Sequence, residues 1–227
     1  MGAEKFKELL KNEISRIDAS NTAKRNEVII EGFSKEEGHA AKAVIKGKKF
    51  AIFNSNDYLG FRFNEKLRQA EENSTKKYGT GPGAVRFISG SLQIYKELEQ
   101  EIAKFHGKDD AIIFSSAFAA NMAVIHCFAR GQSKDSLIDA NTLIISDELN
   151  HRSIIDGVRV ANLPKENKAI FKHRNMESLK EILNQNKGNF KRVVIVTDGV
   201  FSMLGVHQNI SEMQEISKEF DNDFEEG

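Results

Sequence analysis

Hydrophobic residues recur along the chain at two kinds of spacing, and each predicts a different secondary structure. Near the start, Phe6, Leu9, Leu10, Ile14 and Ile17 are three or four positions apart, which predicts an amphipathic helix. The same spacing predicts two further helices, at Leu92–His106 and Met176–Leu183. All three segments have one apolar face that must pack against another part of the protein.

Short apolar runs separate the later helices and predict β-strands. These runs are Lys49–Phe53, Ala111–Phe114, Thr142–Ser146, Ala169–Phe171 and Val193–Thr197. They lack strict alternation of apolar and polar residues, which indicates strands buried on both faces. The pattern therefore predicts an α/β fold, with a mostly parallel sheet covered by helices on both faces.

The chain divides in this interpretation into two regions. Residues 1–48 form an N-terminal helix followed by a polar stretch, which is either an extended arm or a small strand pair. Residues 49–227 form the α/β domain.

Composition narrows the class of protein. Lys and Arg together number 33, as do Asp and Glu, so the charge favours neither nucleic acid nor an anionic membrane surface. The single cysteine, Cys127, excludes an internal disulfide and fits a reducing compartment. No apolar run approaches the roughly 20 residues of a membrane span. We therefore expect a soluble, cytoplasmic protein with no nucleic-acid or membrane partner.

Three segments pass from a predicted strand into a predicted helix or turn with small or polar residues. They are FSSAFAAN from Phe114, ISDELNHRSIIDGVR from Ile145 and TDGVFSMLG from Thr197. Ligands of open α/β sheets bind at such places. Each segment also has a purely structural interpretation: a serine-capped helix, a capping or core histidine at His151, and a turn closed by the Asp198 side chain.

A glycine-rich stretch, YGTGPGAVRFISGS, runs from Tyr78 to Ser91 and is either a plain turn or the wall of a site. It is not a dinucleotide fingerprint, because it follows a helical pattern and Ala84 stands where the third glycine belongs. Ser74-Thr75-Lys76-Lys77 matches S-x-x-K, but no K-T-G partner occurs, which argues against a penicillin-type serine enzyme. The scattered histidines have no metal-ligand spacing, so no metal site is predicted.

Taken in order, five segments resemble the α-oxoamine synthases over nearly the whole chain, from about residue 5 to about residue 220. They are NSNDYLGF (54–61), the glycine-rich stretch, IYKELEQEIAKFHG (94–107), SDELNHRSIIDGVR (146–159) and TDGVFSMLG (197–205). This family consists of fold-type I enzymes that use pyridoxal 5'-phosphate (PLP) to condense an amino acid with an acyl-CoA. Its glycine C-acetyltransferase branch (2-amino-3-ketobutyrate CoA ligase) looks most similar, with the 8-amino-7-oxononanoate synthases close behind. The resemblance implies the large domain of that fold.

The resemblance also implies residues that bind the cofactor and take part in catalysis. Ala117 and Phe118 fall where backbone amides of the family hold the PLP phosphate. His151 matches the histidine that stacks on the pyridine ring, and Ser202 matches the serine near the phenolic oxygen of the cofactor. His151 and Ser202 are therefore the candidate catalytic residues.

On the substrate side, the resemblance places Asn56 against the substrate and assigns Val85, Arg86 and Phe87 to the acyl pocket. The glycine-rich stretch would line this pocket near a subunit interface. The implied partners are an amino acid, an acyl-CoA, and a second subunit in a homodimer or in a pair with a homologue.

The sequence departs from the family at its C-terminus. Where the family has a strand carrying the acid that faces the pyridine nitrogen, this chain has FDNDFEEG, with acids at Asp221, Asp223, Glu225 and Glu226. The lysine that binds the cofactor covalently has no counterpart, nor has the small C-terminal domain. The resemblance thus implies a large domain incomplete at its C-terminus and inactive alone. The alternatives are a non-catalytic partner of a complete homologue, and a truncated or split-gene remnant.

Overall fold

The computed structural model describes residues 2–20, 22–24, 27–35 and 40–225, with side chains to residue 221. By its internal contacts the chain divides into two units, Met1–Gly90 and Ser91–Gly227. The predicted boundary between residues 48 and 49 stays a prediction. The C-terminal acids Asp221, Asp223 and Glu225 belong to a helix, and Glu226 lies outside the described residues.

The N-terminal unit contains three α-helices and three strands in its described residues. The helices are α1 (Ala3–Ala19), α2 (Glu65–Tyr78) and α3 (Arg86–Ser89). The strands are β1 (Gly32–Ser34), β2 (Lys42–Ile45) and β3 (Lys48–Phe50), which form one antiparallel sheet in that order. Helix α1 confirms the first periodic pattern, and the small sheet confirms the strand alternative for the polar stretch.

The predicted strand at Lys49–Phe53 is wrong as a member of the parallel sheet. Its first two residues belong to β3, which pairs antiparallel with β2, so that Ile45 faces Lys48. Lys46 and Gly47 form the two-residue turn between them, with φ of 49° and 71°. Positive φ at both central positions suits a tight hairpin, and this local turn therefore decides the pairing.

In the part of the chain that the structure describes, the second unit contains five α-helices and five strands. The helices are α4 (Gln93–His106), α5 (Ala117–Arg130), α6 (Arg152–Val160), α7 (Met176–Gln185) and α8 (Ile210–Glu225). The strands are β4 (Thr142–Asp147), β5 (Lys168–Phe171), β6 (Arg192–Val196) and the hairpin pair β7 (Val200–Phe201) and β8 (Val206–His207). Strands β5, β4 and β6 form a parallel sheet in that order. The predicted strands Thr142–Ser146, Ala169–Phe171 and Val193–Thr197 are confirmed within about one residue.

The central strand, β4, is buried along its whole length and separates two hydrophobic clusters. Leu143 and Ile145 pack with residues of α7 and α8, including Leu179 and Ile216. Ile144 lies in the other cluster, with residues of α5 and α6 such as Ile125. Neighbouring residues of a strand point to opposite faces, so this division means that helices cover both faces of the sheet, as predicted.

The predicted strand at Ala111–Phe114 is wrong. These residues form no ladder in the described part of the chain. Instead, the Ile113 N–H donates to the buried Glu99 carboxylate at 3.1 Å, and the Ala111 N–H donates to the Asp110 carboxylate at 2.9 Å. Side chains therefore satisfy backbone groups that a strand would have used in a ladder.

Asp139 ties the loop before β4 to the beginning of β6. Its carboxylate contacts Lys191 Nζ at 2.9 Å and Arg192 Nη2 at 3.1 Å. The hydrogen bond from Lys191, followed by that from the Asn141 N–H, lowers the pKa of Asp139 from about 3.8 to about 2. A lowered pKa in the folded state means that the ionised carboxylate stabilises the fold.

We expect this contribution to be complete above pH 4 and to disappear as the pH falls through about 2, because protonation removes the charge from Asp139. Asp139→Asn should therefore reduce the loss of stability in that acid range, as measured by urea unfolding at a series of pH values. Asp135→Asn, in the same loop, is the control, since Asp135 forms no salt bridge with a described residue. The assignment would be contradicted if the free energy of unfolding fell equally steeply with decreasing pH in wild type and in Asp139→Asn.

Candidate functional site

The carboxyl ends of the three parallel strands carry a cluster of polar residues. Strand β4 leads into Asp147, Asn150 and His151, β5 leads into His173, and β6 leads into Asp198. Parallel strands bring these ends to one edge of the sheet, where ligands of open α/β sheets bind. The candidate site is therefore built around this edge.

His151 caps the N-terminus of α6, and its ring orientation is fixed from one side. Its Nδ1 lies 3.2 Å from the Ser153 N–H and 2.7 Å from Ser153 Oγ. Asn121 Nδ2 donates to the same Oγ at 2.8 Å, which leaves the hydroxyl proton of Ser153 for His151. Nδ1 therefore accepts, and the neutral ring carries its proton on Nε2.

Phe118 lies beside this histidine, in the first turn of α5. The two ring centroids are 6.4 Å apart, with the rings at 77° to each other. The Ser116 hydroxyl caps the helix by accepting from the Ala119 N–H at 3.1 Å, as the structural interpretation of this segment predicts. The N–H groups of Ala117 and Phe118 donate to no described residue, since the first amides of a helix have no partner within it.

Asn150 and Asp198 connect the ends of β4 and β6. The Asn150 amide donates to the Val196 carbonyl at 2.7 Å and accepts from the Asp198 N–H at 2.9 Å. The Asp198 carboxylate accepts from the His151 N–H at 2.6 Å. Asp198 therefore does not close a local turn, as one interpretation predicted, but holds the histidine of another segment in place.

Asp147 is the most highly connected of these residues, with a side chain inaccessible to solvent. Its Oδ1 accepts from the Leu149 N–H and from His173 Nδ1, both at 2.9 Å. Its Oδ2 accepts from the Arg174 N–H at 3.0 Å and from Gln208 Nε2 at 3.2 Å. One carboxylate thus joins the end of β4, the end of β5 and the segment after the β7–β8 hairpin.

Ser202 lies exposed in the turn of that hairpin. The turn is closed by the Phe201 carbonyl, which accepts from the N–H groups of Leu204 at 3.1 Å and Gly205 at 2.9 Å. The structure therefore brings Phe118 and His151 together, and places Ser202 on a hairpin whose far end is held by the Asp147 carboxylate. The assignment of these residues to a cofactor stays a prediction.

The predicted substrate residues belong to the N-terminal unit. Asn56 lies in an irregular segment, where its Oδ1 is 3.5 Å from the Tyr58 hydroxyl. Val85 precedes α3, the single helical turn that begins at Arg86 and includes the almost fully exposed Phe87. The glycines of this stretch are needed for its turns, since φ is 83° at Gly79 and 72° at Gly83.

Sequence reasoning missed four residues of this polar edge: Asp147, Asn150, His173 and Gln208. A signal for Asp147 and His173 was available. Asp147 is the last residue of β4, and His173 comes two residues after β5, so both follow the rule that identified His151. Gln208 follows the short strand β8. No pattern in the sequence predicts its contact with Asp147.

Comparison with known proteins assigns the chain to a family. The sequence profile described as aminotransferase class I and II matches residues 48–222. The chain belongs to this family, and its described fold agrees with that assignment. No described helix combines the length and the apolar character needed to span a membrane.

The individual relatives confirm the resemblance to α-oxoamine synthases. An 8-amino-7-oxononanoate synthase of Treponema denticola is 40% identical over 180 residues. The aligned region covers 79% of this chain and 42% of the Treponema protein. The 8-amino-7-oxononanoate synthase of Petrotoga mobilis is 37% identical over 217 residues. That alignment covers 95% of this chain and 51% of the Petrotoga protein. The chain thus spans about half the length of the curated relatives that it matches.

A solved structure shows the same likeness. A serine palmitoyltransferase from S. paucimobilis, holding a PLP–myriocin aldimine, has 25% identity and a TM-score of 0.77. The match covers 97% of this chain and 51% of that protein.

Proposed function

We propose that this chain supplies the cofactor-binding part of a PLP-dependent acyltransferase, which joins an acyl-CoA to glycine or another small amino acid. The observation that carries the proposal is the meeting of Phe118 and His151 beside the end of β4. Similarity to 8-amino-7-oxononanoate synthases and to a PLP-bound serine palmitoyltransferase supports it.

The residues at the beginning of α5 fit the phosphate group of the cofactor. The N–H groups of Ala117 and Phe118 have no acceptor among the described residues, and the helix dipole favours an anion at this end. The Ser116 hydroxyl accepts from the Ala119 N–H and thereby stabilises the end of the helix.

His151 fits the ring of the cofactor. Its Nδ1 is held by Ser153 and its backbone N–H by Asp198, so the imidazole is fixed before any ligand arrives. A flat ring held in this way can stack on another flat ring without losing further side-chain freedom. When bound, PLP would act as the electron sink of the reaction, while these residues orient it.

We expect Ala117→Pro to weaken PLP binding by about fivefold to tenfold, because one amide donor to the phosphate is lost. Proline is well tolerated at the first position of a helix, so α5 should remain intact. The measurement is a titration with PLP, followed by fluorescence and by competition with inorganic phosphate. Gln93→Pro is the matched control, since Gln93 is the first residue of α4. Equal affinities for wild type and Ala117→Pro would contradict the proposal.

We also expect this chain alone to catalyse no measurable condensation of glycine with acetyl-CoA. The resemblance finds no counterpart of the lysine that would hold PLP covalently, nor of the acid that would face its pyridine nitrogen. Borohydride reduction and peptide mapping should then give heterogeneous labelling of surface lysines. A single, stoichiometrically labelled lysine accompanied by turnover would show that the chain is an enzyme by itself.

The exposure of the glycine-rich stretch favours a second candidate, a non-catalytic subunit that pairs with a complete homologue. Val85, Phe87 and Ile88 are 65%, 96% and 79% exposed, and neighbouring apolar residues at a protein surface commonly mark an interface. Co-purification with a full-length 8-amino-7-oxononanoate synthase tests this candidate. Replacing Phe87 and Ile88 with serine should abolish any pairing that depends on this surface.

A further inference from the structure

We propose that His173 is a positioning residue, which holds the β7–β8 hairpin, and therefore Ser202, against the end of the parallel sheet. The contacts of His173 carry this inference, and its consequence for PLP rests on the proposed function. His173 had no role in the sequence analysis, and it takes no direct part in the cofactor contacts proposed above.

The hairpin has few anchors of its own. Ser202, Met203, Leu204 and Gly205 at its turn are all exposed, Met203 almost completely. In contrast, Phe201 at the start of the turn and Gln208 directly after β8 are both buried. The position of the turn therefore depends on what these two side chains contact.

Both side chains meet the pair formed by His173 and Asp147. The rings of His173 and Phe201 pack edge to face, with centroids 4.3 Å apart and planes at 84°. Gln208 Nε2 donates to Asp147 Oδ2 at 3.2 Å, and the other oxygen of that carboxylate accepts from His173. Phe201 of β7 therefore contacts His173, and Gln208, directly after β8, contacts Asp147.

The hydrogen bond to Asp147 also fixes the orientation of the His173 ring. A carboxylate can only accept, so Nδ1 carries the proton that is donated to Asp147. Nε2 is buried and has no partner among the described residues. The ring is therefore rigidly oriented by Asp147 and presents a fixed surface to Phe201.

The test separates the ring of His173 from its hydrogen bond. In His173→Asn, the amide nitrogen replaces Nδ1 as the donor to Asp147, but no ring remains against Phe201. We expect the urea midpoint to stay near the wild-type value. Amide exchange at residues 200–206 should become about threefold to tenfold faster, the range that one aromatic pair supplies. PLP affinity should fall over the same range.

A double-mutant cycle shows whether the ring contact is responsible. Phe201→Leu should accelerate exchange in the hairpin to a similar extent, and the double variant should be no faster than either single one. Unchanged exchange in His173→Asn, or effects that multiply in the double variant, would overturn the proposal. If His173→Asn does not fold, the variant His173→Phe is measured instead. Amide exchange within about twofold of wild type then supports the ring contact, and faster exchange overturns it.

A wild-type chain that binds no PLP would refute the proposed function, while the exchange measurements would still decide the role of His173.

Discussion

Phe171→Ala should lower the free energy of unfolding by about 3–5 kcal/mol, which is the largest effect we expect from a single substitution in this chain. Phe171 ends β5 and is completely buried among Leu143, Leu179 and Ile216 on the α7–α8 side of the sheet. Removing its ring loses the transfer free energy and leaves a cavity that two helices and a strand cannot close. Urea unfolding, followed by circular dichroism, measures the change.

The residue before it is the matched control. Ile170 lies on the same strand with its side chain on the opposite face, and it is 69% exposed. Ile170→Ala should therefore cost less than about 1 kcal/mol, because little apolar area returns to water. Similar losses at both positions would mean that the division of the sheet into two faces is wrong.

Asp147→Asn should lower the free energy of unfolding by about 3 kcal/mol, although it changes only one atom. Each oxygen of Asp147 accepts two hydrogen bonds, and all four donors come from the structured edge of the sheet. Whichever way the new amide turns, its NH₂ group faces two donors that then have no acceptor. Buried donors without acceptors are costly, and the charge that strengthened these bonds is lost as well.

The same substitution on a helix surface gives the comparison. Asp156 pairs with Arg152 and Arg159 on the exposed side of α6, and Asp156→Asn should have a much smaller effect. The two variants together separate burial from charge, because both remove one carboxylate. A loss at Asp147 no greater than that at Asp156 would show that the network does not stabilise the fold.

Periodicity predicted the α/β domain well where the local pattern and the packing agree. The three residues Leu143–Ile145 are all apolar because both faces of β4 are buried, and helices cover each face. The helix Met176–Leu183 was predicted from the spacing of Leu179 and Ile182, and in the structure both side chains pack in the same hydrophobic cluster.

The two wrong strands show where such reasoning stops. Lys49–Phe53 and Ala111–Phe114 both have apolar residues of the right kind, but a strand also needs a neighbour with free backbone groups. The turn at Lys46 and Gly47 gave the first segment an antiparallel partner, and the Glu99 carboxylate took the N–H of Ile113 in the second. Neither the turn nor the contact of Glu99 can be predicted from the hydrophobic pattern.

By itself, the sequence determined the class of fold, the family and the segments in which the candidate site residues lie, because these depend on local patterns and on motifs in order. Only the tertiary structure decided which of these residues meet. Phe118 and His151 are 33 positions apart in the numbering and lie side by side, while Asp147 reaches His173 and Gln208 from two other segments. Hydrogen bonds and ring contacts act over a few ångströms in space, and the distance along the chain does not limit them.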